Sequence, residues 1–230
     1  MAALIATSTN RYGNVVKREY EPSSGQCRKT VTAYDAAATW AIGRVLTRVL
    51  VSGTGTPAAN AGNTGTGTVG TVTVGATALI GTYKVTIEQA VTDKGLFTVF
   101  GPNGQSVGSG QVGSVFSGGG LSFTISDATD FVVGDGFTIA VTGTEKYRTI
   151  EATDFNALNR DVVIFIGSGA GFDSLAVANN TDTTVIVIER GPVQVVKEQL
   201  TYGTSIDTTA EKNELYALLA AKGIVAEAQI

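Results

Sequence analysis

Histidine is absent, cysteine occurs once at Cys27, proline four times, and only 16% of the residues carry a charge. Each scarcity excludes something. Without histidine there is no imidazole base, no imidazole metal ligand, and no Ser-His or Cys-His nucleophile. A single cysteine can form neither an intramolecular disulfide nor a thiolate metal site, and it points to a reducing compartment of synthesis. The formal charge is −4 with no long basic run, so no phosphate-neutralising nucleic-acid surface is expected. Residues 1–9 lack a basic n-region and a long apolar run, so no signal peptide is expected. No stretch reaches the roughly 18 apolar residues of a membrane span, and the chain is expected to be soluble.

What is present suits strands. Apolar residues make up 43% of 230, which argues against disorder, and 29 glycines accompany abundant Thr and Val. Many short strands joined by glycine turns fit this mixture better than helices do.

The composition changes twice. From Ser52 to Thr144 lie 20 of the 29 glycines, with Lys84, Glu88, Asp93, Lys94, Asp127, Asp130 and Asp135 as the only charges. A domain over 52–144, inserted into an outer domain made of 31–51 and 145–230, explains the pattern. Within the insert, Tyr83, Val85 and Ile87 alternate with Lys84, Thr86 and Glu88, and Val72/Val74, Phe97/Val99, Phe123/Ile125 and Phe137/Ile139/Val141 repeat the device. Period two with polar residues between marks strands that cover one face of a core. Turn signals at Asp93-Lys94-Gly95, Pro102-Asn103-Gly104, Gly118-Gly119-Gly120 and Gly134-Asp135-Gly136 separate five or six strands, which predicts a small immunoglobulin-like β-sandwich.

In the outer segment, Val162–Ile166 and Thr184–Ile188 read as buried strands. Thr208-Thr209-Ala210-Glu211 fits a capping box, Leu215, Leu218 and Leu219 share one face, and Gly223 stops the helix before an extended Ile224-Val225 tail. Residues 1–30 lack periodicity and a core-forming run, so they read as an arm that a partner would order.

Two stretches match the dinucleotide fingerprint, Gly65-Thr66-Gly67-Thr68-Val69-Gly70 and Gly108-Ser109-Gly110-Gln111-Val112-Gly113. That motif works only between a strand and a helix, and neither context is present, so both are expected to be turns and no cofactor is expected. Asp127, Asp130 and Asp135 could offer oxygens to Ca²⁺ but miss the EF-hand spacing, so they read as turn acceptors and no metal is expected. Asn179-Asn180-Thr181 matches a glycosylation sequon, which without a secretory signal marks only a loop. Trp40 precedes Ile42 and Val45 in an apolar stretch, which favours core or subunit-interface packing. No catalytic constellation is visible, and a non-enzymatic structural protein is expected.

Several stretches carry a family likeness in order: Gly43-Arg44-Val45-Leu46-Thr47-Arg48-Val49, Glu145-Lys146-Tyr147-Arg148-Thr149-Ile150, Ala157 to Gly167, Val185-Ile186-Val187-Ile188-Glu189-Arg190-Gly191-Pro192-Val193, and Leu215 to Ile224. Read continuously without the insert, they resemble the head decoration (capsid cement) proteins typified by the D protein of lambdoid phages. The likeness covers about sixty percent of the chain. It implies a D-like β-rich outer domain with a C-terminal helix, forming homotrimers at three-fold and quasi-three-fold positions of the outer capsid face. The partner would be the major capsid protein, and the protein would be made in the host cytoplasm. Binding only the expanded shell would stabilise that shell by linkage. Arg11, Tyr12, Tyr20 and Trp40 are the expected capsid contacts, since aromatic and Arg side chains are favoured anchors. The insert would project outward, with weak host-surface or glycan contact as one role. The competing expectations are another virion part (tail tube, baseplate or fibre), a bacterial surface adhesin or carbohydrate-binding module, and an enzyme.

Overall fold

The computed structural model describes residues 11–92, 94–158, 160–169, 171 and 174–228. The chain begins with α1 (Tyr12–Val15), β1 (Val16–Glu19), β2 (Arg28–Ala33), β3 (Ala38–Trp40) and the long β4 (Val45–Ala59). Short strands follow: β5 (Thr68–Val69), β6 (Thr73–Val74), β7 (Gly81–Gln89), β8 (Leu96–Phe100), β9 (Ser106–Gln111), β10 (Val115–Gly118) and β11 (Leu121–Ser126). The return runs through β12 (Gly136–Thr149), β13 (Val163–Ser168), β14 (Leu175–Val177), β15 (Thr183–Ile188), β16 (Val193–Val196), α2 (Thr209–Ala221) and β17 (Ile224–Glu227). The protein is mostly β with a helix near its C-terminal end.

The chain divides into two compact units. Unit 1 comprises residues 1–48, 146–156 and 160–230, and unit 2 comprises 49–145 with 157–159. The chain therefore leaves unit 1 within β4 and re-enters it within β12, which places both junctions inside strands.

In unit 1, β2, β15, β13 and the start of β4 are neighbours in one antiparallel run, with Val185 opposite Val31, Phe165 opposite Val187, and Val163 opposite Leu46. Both faces of this run are buried, which is why β13 reads as an unbroken apolar string. Val163 and Phe165 face a cluster that includes Trp40, Leu46, Tyr147, Val185 and Val187. Ile164 and Ile166 face the other way, into a cluster that includes Ile42, Val45, Leu215 and Leu219. A second sheet, ordered β1-β16-β17, closes that cluster with Val16, Val193, Val195 and Ile224.

The expected free arm over residues 1–30 is corrected here for the part described. Residues 1–10 lie outside the described residues. Residues 11–30 belong to the fold: β1 pairs antiparallel with β16, β2 begins at Arg28, and Val15, Val16 and Cys27 are buried. One adjacent valine pair and a single cysteine eleven residues later are too sparse to show a period in sequence, yet they are sufficient to anchor the segment.

Helix α2 starts as its sequence requires. The Thr208 hydroxyl accepts from the Glu211 amide at 3.3 Å, and the Glu211 carboxylate accepts from the Thr208 amide at 2.9 Å. Leu215 and Leu219 are buried, and Gly223 takes a left-handed φ of +77° past the C-terminal end. Lys222 then ties the helix end to the body by donating to the Asp161 carboxylate and, at 3.1 Å, to the Val162 carbonyl. The Tyr147 hydroxyl donates to the same carboxylate at 2.8 Å. Burial opposes ionisation of Asp161, but these two donors outweigh it and hold the carboxyl below its ordinary range. The tail after the helix pairs parallel with β16 as β17. A Cβ on Gly191 would lie 1.7 Å from the Gly223 carbonyl oxygen, so the two backbones can meet this closely only because residue 191 is glycine.

Unit 2 is a sandwich. β9, β8, β7 and β12 form one sheet by successive antiparallel pairing, and β10, β11, β5 and β6 form the other. The alternation seen in sequence places Tyr83, Val85, Ile87, Phe97, Val99, Phe137, Ile139 and Val141 against Phe116, Leu121, Phe123 and Ile125. Phe97, Phe116 and Phe123 pack mutually, with ring centroids 5.0–6.1 Å apart.

Candidate partner-binding surface

The residues expected to touch a partner fall in different environments. Arg11 is exposed at the N-cap of α1, and its carbonyl accepts from the amides of Asn14 and Val15 at 2.9 and 3.3 Å. Tyr12 is half-buried and engaged within the chain. Its hydroxyl donates to Glu19, and Arg28 clamps the same carboxylate with Nε and Nη2 at 2.9 and 2.7 Å while lying 5.2 Å from the Tyr12 ring centroid. Burial first, and then the hydrogen bond to Glu19 and its charge, push the Tyr12 phenol up to about 12. Tyr12 thus fastens α1 to β1 and β2.

Trp40 is corrected as a contact residue. Its side chain is 0% exposed and meets Phe165 edge-on at 5.6 Å between centroids, so it is core and has no surface to offer. The apolar residues around it in sequence point to this outcome.

Tyr20 is 54% exposed, and it stands beside a groove of about 470 Å³. The floor of the groove is the solvent face of the β1-β16-β17 sheet. Register places Arg18 opposite Gln194, and Gln194 opposite Val225, so one row of side chains crosses three strands. Tyr20, Glu21, Pro192 and Gly223 also line it. Arg18, Gln194 and Val225 were not found by sequence reasoning. They are far apart in the chain, and only strand pairing makes them neighbours.

The two glycine fingerprints serve packing. Cβ atoms on Gly65 and Gly67 would lie 2.5 and 2.4 Å from the Phe131 ring, so these glycines admit an aromatic side chain where a phosphate cradle would need open amides. Gly108 and Gly110 correct the expected turn: both lie within β9, under the Phe116 and Phe97 rings. A Cβ on Gly110 would be 2.5 Å from Phe97 Cζ. Glycine in this strand makes room for the aromatic core.

Asp135 is a turn acceptor. It is 4% exposed and accepts from the amides of Thr64, Gly65 and Val132 at 2.9, 2.9 and 3.1 Å. Burial opposes its ionisation, yet the three amide donors prevail and hold the carboxyl below the ordinary aspartate value. Asp127 accepts from the neighbouring Ala128 amide at 2.8 Å. Among the described residues, no group of three or more His, Cys, Asp or Glu side chains could hold a metal ion. No described helix is long and apolar enough to cross a membrane.

No protein-family model matches the chain, and no curated protein matches it significantly. Partial likenesses exist to solved flagellar proteins. Two crystal forms of FlgL from Xanthomonas campestris align at 23% and 25% identity over 46% and 45% of this chain, each with a TM-score of 0.32. The flagellar junction protein FlgL from Legionella pneumophila aligns at 18% identity over 44% of this chain, with a TM-score of 0.33. The matches span only 33–37% of those chains. At such scores they bear on neither fold nor function.

Proposed function

We infer that this chain is a non-catalytic structural virion protein that binds the outer surface of an expanded capsid shell and stabilises it. The observation that carries the reading is the union of the two flanks. The stretches whose order resembles head decoration proteins lie on both sides of a glycine-rich segment, and those flanks form one compact unit with its own cores. The major capsid protein is the proposed partner, with homotrimers at three-fold and quasi-three-fold sites. Unit 2 is then an added sandwich carried by a small β-rich body. Arg11 and Tyr20, exposed on unit 1, remain the proposed contact side chains.

The mechanism is mass action: a protein that binds the expanded shell alone shifts the shell toward that state by its binding free energy. Many copies multiply a modest contact into mechanical resistance. The test is direct. Purified protein is mixed with expanded, undecorated capsids of the source phage, and bound copies are counted by electron cryomicroscopy. Density at the three-fold and quasi-three-fold positions is expected. Rings or tubes without capsid binding would move the protein to the tail.

A further inference from the structure

The groove beside Tyr20 carries one exposed cation and one exposed anion that do not pair with each other. Arg18 and Glu21 both line it, and among the described residues neither side chain makes an ion pair or hydrogen bond. Glu19, between them in sequence, is already neutralised: its side chain is 2% exposed and held by Arg28. Among the described residues, the groove therefore presents one unpaired charge of each sign, flanking a Tyr that is 54% exposed and a Val225 that is 45% exposed. Nucleic acid or a uniformly acidic or basic peptide would gain at one of these charges and lose at the other. A matching partner must supply an acid to Arg18 and a base to Glu21.

A second copy of this chain supplies that pair by necessity. In an isologous contact, residue i of one copy meets residue j of the other, and j meets i. We propose that this groove is a two-fold self-association surface, in which Arg18 of each copy faces Glu21 of its mate and the two Tyr20 rings pack at the centre. Tyr is among the side chains that dominate interface energetics, and the opposed charges fix the register. The contact is distinct from the three-fold one implied by the family resemblance. Since Tyr20 cannot meet a capsid and a second copy at once, it belongs to the protein free of any shell, where it is measured independently of the capsid reading.

The test uses the full-length protein and two charge reversals, Arg18→Glu and Glu21→Arg. Light scattering coupled to size exclusion, over a concentration series, should show self-association of the unaltered chain. Each reversal alone should weaken it roughly tenfold or more, because each places like charges opposite one another. Mixing the two variants should restore it. In the mixed pair the two substituted side chains face each other with opposite charges, and the unaltered Arg18 and Glu21 meet on the other side of the two-fold axis. Thermal melts establish that both variants fold, and Arg18→Gln with Glu21→Gln serve if either does not. A strictly monomeric wild type would overturn the proposal. So would association that survives both single reversals, or a mixture that stays as weak as its components.

Discussion

Asp135 shows how one side chain can organise several stretches of chain. It reaches the amides of Thr64 and Gly65, 71 and 70 residues earlier, as well as that of Val132. Replacing it with Asn keeps the shape but removes the charge and half of the acceptor capacity, at a cost of about 2–3 kcal/mol by urea denaturation. The pH dependence follows from the lowered folded-state value. The native protein prefers the carboxylate, so this contribution is complete above the unfolded aspartate value of about 3.9 and fades as the pH falls through the lower folded one. Asp135→Asn should therefore flatten the acid side of the stability profile, and an unchanged slope below pH 4 would assign the acid sensitivity to other carboxylates. The sequence shows Gly134-Asp135-Gly136 as a turn. Which amides it binds depends on a loop distant in the chain, and no local pattern reports that.

At the scale of the element, α2 is the part most fully written in its own residues. Its cap, its buried leucine face and its glycine stop are all local, and each takes the expected place. Thr208→Ala leaves the Glu211 amide without its side-chain acceptor, and should destabilise the protein by about 1 kcal/mol in chemical denaturation. Thr208→Ser should restore most of that loss, because the hydroxyl is retained. Strands with clear alternation, such as β7 and β12, were equally legible. β9 was not: its Ser-Val-Gly-Ser-Gly-Gln sequence has no apolar period, since the aromatic rings that cover it belong to β8 and β10. A strand whose packing is supplied by its neighbours leaves little signature in its own residues.

For the whole molecule, the shift in composition at Ser52 and Thr144 lies close to the unit limits at Val49 and Glu145. Each unit holds its own buried clusters, with the Phe97-Phe116-Phe123 group confined to unit 2. Phe97→Ala should cost about 3–5 kcal/mol through the cavity it leaves. Hydrogen exchange should record the loss chiefly in the amides of β7, β8 and β11, with β13 and β15 retaining their protection. Equal loss of protection in all five strands would mean that the two units unfold as one. The same division bears on the proposed role, since a capsid-binding body and an added sandwich can vary separately in a decoration protein.

The amino-acid sequence by itself determined what local chemistry can determine. Alternating apolar residues made strands, a capping box and leucine face made a helix, the missing histidine removed imidazole chemistry, and a glycine-rich segment announced a second unit. Tertiary structure decided which side chains stay at the surface. Trp40 and Tyr20 are both aromatic residues near basic ones in sequence, yet Phe165 and its neighbours enclose Trp40 while Tyr20 stays at the surface. Arg18, Gln194 and Val225 share one row only because β1, β16 and β17 pair side by side. Burial and juxtaposition are properties of strand pairing across the length of the chain, and no window of residues contains them.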